Sequence, residues 1–182
     1  EYVIKMGSSV MNYPLFYKEV VMIRKAVVED LPYIKEIYND AVRNTTASFD
    51  ITEKGDDFFR TMFDEHSGKR IFYVYEKDNK AVAYVTLSKF SHRDAYDTTV
   101  ELSVYVNKDY RHQHIATELM KFAINFAKEC NDIYTIVSLI TDENKESIHL
   151  HKKYGFRFCG KIQKAGVKFN RDLNVDIYQL IF

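Results

Sequence analysis

The sequence has few of the residues that most often interrupt or cross-link a chain. Its 182 residues include two prolines, six glycines and two cysteines, and no tryptophan. Scarce proline and glycine leave no Pro-rich or Gly-rich linker, and 46% apolar with 29% charged residues is typical of a globular rather than a disordered chain. Two cysteines without CxxC spacing do not form a disulfide framework. The sequence also has neither an HExxH motif nor the paired-cysteine spacing of a zinc site. We expect one α/β domain without metal, in a reducing cytoplasm, with Cys130 and Cys159 as buried thiols.

Neither sign of charge dominates the chain. Lysine and arginine number 26, as do aspartate and glutamate, so the formal net charge is zero. A neutral protein has no overall field that would recruit nucleic acid or an anionic membrane. No apolar run approaches the roughly 20 residues needed to cross a bilayer. Nucleic acid and membrane are therefore not expected as partners, and any bound anion must be held by local geometry.

The first 21 residues differ from the rest of the chain. They lack the basic start and the long apolar core of a signal peptide. The first strand-like run begins only at Met22. We therefore divide the chain into an extension of unknown role, 1–21, and a domain, 22–182. The extension is either an upstream translated piece or an additional packing element.

Hydrophobic periodicity predicts a mixed α/β order for the domain. Asp30 is the expected N-cap of the first helix, and Pro32 lies in its first turn. Asp78 and Asn79 form the expected turn of a hairpin. Strands are predicted over 22–28, 70–76, 81–89, 97–106, 133–140, 156–167 and 175–182, and helices over 31–43, 53–65, 115–129 and 144–154.

The stretch 97–120 combines a strand, a charged turn and an amphipathic helix. Unpaired N–H groups and the positive end of the dipole make such a helix start an anion site. Strand alternation places Glu101 on one face with Thr99, Ser103 and Tyr105. By itself Glu101 would be interpreted as an ordinary surface carboxylate. Beside a bound phosphate-containing cofactor, it would instead be placed for proton chemistry.

Four segments together resemble a known family. Arg93-Asp94-Ala95-Tyr96 followed by TVELSVYV (99–106) is similar to R-x-A-Y…T-x-E-x-S-V-Y-V. RHQHIA (111–116) stands at the place of (Q/R)-x-x-G-x-(G/A). Asn144, Ser147, His151 and Gly155-Phe156 fit N-x-x-S…H-x-x-x-G-(F/Y), and the tail 166–180 matches as well. The chain resembles the GCN5-related N-acetyltransferases (GNATs), and among them the phosphinothricin and methionine sulfoximine acetyltransferase group.

This resemblance implies a fold and a cofactor. The expected GNAT fold is a single, mostly antiparallel mixed sheet of about six or seven strands, splayed in the middle and flanked by about four helices. Acetyl-CoA would lie in the split between strands 97–106 and 133–140. The cofactor-binding residues that the resemblance implies are Val104, Tyr105, Val106, Arg111, His112, Gln113, His114, Ile115, Ala116, Thr117, Asn144 and Ser147.

The chain departs from the family pattern in the pyrophosphate loop. His114 stands where the first motif glycine belongs, and His112 replaces another frequent glycine. Glycine permits unusual φ and a close approach of the backbone to phosphate, whereas histidine adds a Cβ and a ring. The loop therefore either binds the coenzyme less tightly or has lost the ability to bind it. Ala116, at a position where the motif accepts alanine, favours retained binding.

The resemblance also implies catalytic and substrate-binding residues. Glu101 matches the group's general base, which removes a proton from the acceptor amine. His151 stands where related enzymes often have a tyrosine, and it would protonate the departing thiolate. Arg93, Ala95 and Tyr96 resemble the substrate loop, whose arginine would bind an amino-acid carboxylate. Lys168 would help to close the substrate pocket.

The sequence thus predicts an acetyl-CoA-dependent N-acetyltransferase for a small amino acid or analogue. Phosphinothricin, methionine sulfoximine and methionine sulfone are the acceptors that the resemblance suggests, together with a homodimer. One alternative is an acetyltransferase for another amine, such as a polyamine or a protein N-terminus. The other is a catalytically degenerate GNAT domain that acts as a binding or sensor module.

Overall fold

Seven strands and four α-helices make up the part of the chain that the structure, a computed structural model, describes, residues 22–182. The predicted extension 1–21 lies outside the described residues. No helix within 22–182 is long and apolar enough to cross a membrane. In chain order the elements are β1 (Met22–Lys25), α1 (Leu31–Asn44), α2 (Asp56–Asp64), β2 (Phe72–Lys77), β3 (Lys80–Lys89), β4 (Thr99–Val106), α3 (Ile115–Glu129), β5 (Thr135–Thr141), α4 (Lys145–Lys153), β6 (Arg157–Lys168) and β7 (Arg171–Ile181).

All seven strands form one sheet in the order β1-β2-β3-β4-β5-β7-β6. The β4–β5 pair is parallel and every other neighbouring pair is antiparallel. The predicted order of elements is confirmed, including the bounds of α3. Asp78 and Asn79 have φ of 51° and 60°, the left-handed values of a tight hairpin turn.

Asp30 has a different role from the predicted cap of α1. It occupies the N-cap position, but its carboxylate makes no capping hydrogen bond to that helix. The carboxylate instead accepts hydrogen bonds from Arg24 at 2.7 and 2.8 Å and from the Val27 amide at 2.9 Å. The prediction was wrong about this bonding because Asp30 closes a 3-10 turn, Val28–Asp30, that precedes the helix.

Two apolar clusters pack on opposite faces of the sheet. One joins α3 to the central strands through Val85, Leu119 and Ile136, among other buried residues. The other joins α1 and α2 to the sheet through Ile34 and Phe59. Glu101 shares the second face, because alternation places it with Tyr105, whose ring contacts Tyr38 of α1.

Helices α1 and α2 leave part of this second face uncovered. Over β5, β7 and β6 the register aligns Leu139 with Ile177 and Ile162 with Val175, so their side chains point the same way. Leu139, Ile162 and Ile181 are 47%, 48% and 68% exposed. The sheet therefore presents an apolar strip to solvent.

The cysteines are less buried than predicted. Cys130 follows α3 and is partly exposed, and Cys159 is exposed. Cys159 lies where the β6–β7 register shifts, between Phe158 and Gly160. Because β6 is the last strand of the sheet, its side chains lack the cover that central strands receive.

Leu119 provides a test of the α3 packing. It is fully buried, with 0% exposure. Leu119→Ala should lower the free energy of unfolding by about 2–5 kcal/mol, because it removes apolar contacts and leaves a cavity. Urea denaturation measures this change. Lys121→Ala, an exposed site on the same helix, is the matched control. An equal loss in both variants would contradict the assigned core.

Candidate active site

The sheet splits between β4 and β5. The two strands pair only over Thr99–Glu101 and Thr135–Val137. From Leu102 and Ser138 onward they diverge, so that each strand has a backbone edge without a strand partner on that side within the described chain. A cavity of about 970 Å³ occupies the split. This volume lies at the upper end of the range for small-ligand sites, about 300–1,000 Å³.

The cavity wall contains most of the predicted cofactor-binding residues. These are Val104, Tyr105, Val106, Arg111, His112, His114, Ile115, Ala116, Thr117, Asn144 and Ser147. Gln113 is the exception: it is exposed and does not line the cavity. The wall also contains residues that sequence reasoning missed, notably Ser138, Lys145 and Lys153. The lysines flank the recognised Asn144–His151 motif, and that position was the signal that could have found them.

His112 and His114 retain the backbone conformation that glycine usually provides. Their φ angles are 61° and 62°, in the left-handed region. A non-glycine residue in that region carries a strain of roughly 1–2 kcal/mol. The loop thus presents the N-terminus of α3 to the cavity despite both substitutions. The question of coenzyme retention is therefore one of side-chain bulk, since the backbone has the required shape.

The cavity has a donor set that fits a coenzyme with phosphates. The first amides of α3 lack intrahelical partners and stand at the positive end of its dipole. Arg111, Lys145 and Lys153 bring positive charge to the same wall. The β4 edge offers backbone groups to an extended amide-containing chain. These features fit a coenzyme with a pyrophosphate and an extended arm.

Glu101 lies at the branch point of the split, in the last residue pair before the strands diverge. It does not line the cavity, and it is partly buried. Burial raises the pKa of its carboxyl above the usual value. The Tyr105 ring, four residues further along the same strand face, stacks on Tyr84 at 5.3 Å and contacts Tyr38 at 5.4 Å, so aromatic rings cover part of this face.

His151 is buried, with only 6% exposure, and lines the cavity. Its Nδ1 lies 2.7 Å from the carbonyl oxygen of Ser147, which can only accept, so Nδ1 carries the ring hydrogen. Its Nε2 accepts from the Ser138 hydroxyl at 3.0 Å. Burial lowers the pKa of His151. The neutral ring therefore directs a lone pair towards Ser138, and a proton-donor role requires prior protonation of Nε2.

The predicted substrate loop is separate from the cavity wall. Arg93, Ala95 and Tyr96 are exposed and do not line the cavity. Residues Asp94–Tyr96 form a 3-10 turn, and Tyr96 packs against Phe90 at 5.4 Å. This loop leads into β4, which begins two residues before Glu101. The loop therefore joins the branch point through the chain, while its three predicted residues lie outside the cavity wall.

Lys168 is buried, with 4% exposure, at the end of β6. Its ammonium donates to the carbonyl of Ser48 at 2.8 Å, and burial lowers its pKa. The bond fastens the β6–β7 hairpin to the loop between α1 and α2. Lys168 thus has an internal partner, and any effect on a pocket acts through this loop contact.

Glu143 fastens the same two segments from the other side and adds a third. Its carboxylate accepts two hydrogen bonds from Arg171, at 2.6 and 2.8 Å. It also accepts from the Thr46 hydroxyl at 2.6 Å. Arg171 belongs to the β6–β7 hairpin and Thr46 to the α1–α2 loop, while Glu143 precedes α4. Since Thr46 and Glu143 line the cavity, this junction forms one of its rims.

The chain belongs to the GNAT acetyltransferases. The acetyltransferase (GNAT) domain model matches residues 23–175. A methionine sulfoximine/methionine sulfone acetyltransferase of Pseudomonas aeruginosa is 33% identical over 160 residues, 87% of this chain and 92% of that protein. A phosphinothricin N-acetyltransferase of Streptomyces coelicolor is 28% identical over 163 residues, 87% and 95% of the two chains. The protein is therefore a GNAT N-acetyltransferase.

Solved structures confirm the predicted fold. An N-acetyltransferase of Staphylococcus aureus superposes with a TM-score of 0.85 at 33% identity, over 88% of this chain and 98% of that one. An acetyltransferase of Salmonella typhimurium, solved with acetyl-CoA, gives a TM-score of 0.84 at 28% identity, over 88% and 93%. Related GNAT structures thus bind acetyl-CoA on the same fold.

His114 allows the backbone strain to be measured. His114→Gly should be at least as stable as the parent, while His114→Ala should be about 1 kcal/mol less stable than the glycine variant, because alanine keeps the Cβ penalty at positive φ. Urea denaturation gives both values. His149 is the matched control, because it is exposed on α4. At that helical site the alanine variant should be about 1 kcal/mol more stable to unfolding than the glycine variant. If the alanine variant were the more stable of the pair at both sites, the left-handed conformation of His114 would be contradicted.

Proposed function

We propose that the enzyme transfers acetyl from acetyl-CoA to the amino group of a small amino acid or analogue. Phosphinothricin, methionine sulfoximine and methionine sulfone are the acceptors we favour. The relatives named for these acetyl acceptors support this substrate class. The observation that carries the proposal is Glu101, a partly buried carboxylate with a raised pKa at the branch of the sheet.

The coenzyme is proposed to lie in the split. The edge of β4 at Val104–Val106 would pair with its pantetheine arm. The amides at the start of α3, with Arg111, His112 and His114, would bind the pyrophosphate, and Gln113 would contribute through its backbone. Asn144 and Ser147 would complete the site, although Asn144 also caps α4 by accepting from the Ser147 amide at 3.1 Å. Bound acetyl-CoA supplies the activated acyl group.

Glu101 is proposed to act as the general base. An amine attacks a thioester only in its neutral form, while an α-amino group is largely protonated at pH 7. A carboxylate with a raised pKa is a stronger base than an exposed glutamate. Glu101 also lies at the branch, three residues before the part of β4 that is proposed to hold the coenzyme. Glu101 would take one proton from the ammonium group of the acceptor, and the neutral nitrogen would then attack the acetyl carbon.

His151 is proposed to serve the leaving thiolate. In its protonated form the ring would carry a hydrogen on Nε2 and could pass it to the sulfur. In the neutral form the Ser138 hydroxyl occupies Nε2. The lowered pKa means that the protonated form is populated only towards acidic pH. The two groups therefore have opposite pH requirements, since Glu101 must lose a proton and His151 must gain one.

The acceptor carboxylate is proposed to bind Arg93, with Ala95 and Tyr96 shaping the loop around it. An exposed guanidinium offers a bidentate fork to a carboxylate. Lys168 would close the pocket by holding the α1–α2 loop, through its bond to Ser48. A pocket that preferred polyamines would need acidic groups, and Arg93 disfavours such cationic acceptors.

A thiol-release assay with acetyl-CoA and a panel of amino acids and amines tests this function. We expect turnover with the small amino acids and a loss of about 10²–10⁴-fold in kcat for Glu101→Gln, the range for one general base. Glu129→Gln, an exposed site on α3, is the control and should retain activity. Turnover only with polyamines would favour the other substrate class. Absence of acetyl-CoA binding by calorimetry would leave only a degenerate binding module.

The pH profile gives a second test of Glu101 and His151. We expect kcat to rise with pH as Glu101 loses its proton, at a pH above the usual glutamate range, and to fall as His151 loses its own. Glu101→Gln should remove the rising limb and His151→Asn the falling limb. Unchanged limbs in these variants would remove both residues from the proton transfers.

We also propose that the enzyme is a homodimer. The apolar strip over β5, β7 and β6 supports an association through this face, because exposed apolar patches often mark interfaces. Sedimentation at micromolar concentration should give twice the chain mass, and Ile181→Glu should shift it towards one chain. Ile51→Glu, at a loop residue that is 73% exposed, is the control. A monomer in the parent protein would refute the dimer.

A cytoplasmic location is proposed from the cysteines. Cys130 and Cys159 are both free. An exposed free thiol such as Cys159 is most stable in a reducing compartment. Recovery of the native protein in a periplasmic or secreted fraction would refute this location.

A further inference from the structure

A hydroxyl and an imidazole form a bonded pair in the wall of the split. Ser138 is the first residue of β5 beyond the last β4–β5 residue pair, and its side chain is buried, with 2% exposure. Its Oγ lies 3.0 Å from Nε2 of His151. Both residues line the cavity. A serine that donates to a histidine nitrogen is the arrangement of an activated nucleophile.

The hydrogen bonds of His151 fix the direction of this pair. Nδ1 carries the ring hydrogen, because the carbonyl oxygen of Ser147 at 2.7 Å can only accept. The lone pair of Nε2 therefore accepts from Ser138, while the Ser147 carbonyl orients the ring as the third group of a triad does. The Ser147 hydroxyl lies 3.3 Å from Nδ1. It lacks a base there, since Nδ1 already carries a hydrogen.

Ser138 and Glu101 flank the split from opposite faces of the sheet. Glu101 and Val137 form the last β4–β5 residue pair, so their side chains share a face. Ser138, the next residue, points to the other face, where it is the register partner of Tyr178 in the α3-side cluster. A thioester carbonyl is planar and can be attacked from either side. An amine and the serine would thus approach one acetyl carbon from opposite directions.

We propose that, in the absence of an acceptor amine, Ser138 takes the acetyl group from acetyl-CoA and the enzyme then hydrolyses the acetyl-serine, as a second activity of this cavity. The inference rests on the proposed placement of the coenzyme in the split. Ser138 Oγ bonds to the acetyl carbon as the carbon–sulfur bond breaks, and the hydroxyl proton passes through His151 Nε2 to the thiolate. Water then attacks the ester with His151 as base, and its proton returns to Ser138 Oγ as acetic acid leaves.

The surroundings of His151 suit a base. Burial lowers its pKa, opposed by the Ser147 carbonyl, and no charged side chain of the described chain contributes to this shift. The ring is therefore neutral at pH 7 and ready to accept the Ser138 proton. The rings of Phe156 and Tyr178 pack on the imidazole at 4.8 and 6.5 Å, and Tyr178 is its titratable neighbour. The free β4 edge across the split offers N–H groups to the oxyanion.

Release of the coenzyme thiol from acetyl-CoA alone, in amine-free buffer, measures this activity in the full-length enzyme. Ser138→Ala should reduce the rate to that of the buffer, because the nucleophile is lost. His151→Asn should lower it by about 10²–10⁴-fold, the range for one general base. Ser67→Ala, at an exposed serine outside the cavity wall, is the control and should keep the parent rate.

Mass spectrometry of the quenched enzyme tests the covalent step. The peptide that contains Ser138 should gain one acetyl group in the parent. Ser138→Cys keeps a nucleophile at the same position, and it should carry the acetyl group as a thioester that hydroxylamine removes. Glu101→Gln should lose amine transfer but still acetylate Ser138, because the base for the amine takes no part in the attack by serine.

The pH dependence separates hydrolysis from amine transfer. Hydrolysis requires the neutral form of His151, so its rate should rise with pH through the lowered pKa of His151 and level off above it. Over the same range kcat for the amine should fall, because that reaction requires the protonated ring. A hydrolysis rate that falls with pH in this range would overturn the role of His151 as base.

The outcomes distinguish this activity from the proposed function. Equal hydrolysis by the parent and Ser138→Ala would overturn the second activity, while amine transfer that depends on Glu101 would stand. Hydrolysis that depends on Ser138 without an acetyl group on its peptide, in both the parent and Ser138→Cys, would overturn the covalent step. Absence of amine transfer in an enzyme that still acetylates Ser138 would refute the proposed acceptors and support the second activity.

Discussion

The short parallel pairing between β4 and β5 is the constraint on which the rest of the site depends. Three residue pairs hold the two halves of the sheet together, and the strands then separate. A longer pairing would fill the split and consume the backbone groups of the β4 edge. A shorter one would move the branch point away from Glu101, which the β3–β4 ladder holds in place. The cavity, the free edge and the position of this carboxylate thus all depend on where the ladder stops.

Local patterns were sufficient for most of the fold. The 3.6-residue period of α3 and the Asp78-Asn79 turn are encoded within a few residues, so the sequence predicted both. Alternation likewise assigned Glu101 to the correct strand face. It could not tell whether that face was covered, because Tyr38, Tyr84 and Tyr105 come from three separate elements. The raised pKa of Glu101 is therefore a tertiary property.

The same limit explains the candidate-site residues that sequence reasoning placed incompletely. The motif identified His151, but its partner Ser138 lies on another element, 13 residues earlier. Lys168 was predicted to help close the substrate pocket, but its bond to Ser48 spans 120 residues and no local pattern could have predicted that partner. For Gln113 the motif predicted a contact by position, whereas the left-handed residues on both sides turn its side chain away from the cavity wall.

His112 and His114 show that the backbone conformation of this loop can form without the glycines that the motif contains. The loop keeps two left-handed residues without glycine, and their strain is offset by the packing of α3 behind them, where Leu119 and Met120 are fully buried. By residue type alone, the motif would count this loop as defective because two glycines are missing. Its φ angles nevertheless remain in the left-handed region that glycine usually occupies.

The junction at Glu143 makes three segments of the cavity rim depend on one another. One carboxylate ties the α1–α2 loop, the start of α4 and the β6–β7 hairpin. A graft that replaced Glu143 alone would leave Arg171 without its carboxylate, and one that replaced Arg171 alone would leave Glu143 without its cation. Efforts to redirect the enzyme to new acceptors by loop grafting would therefore need to exchange the three segments together, as one cassette.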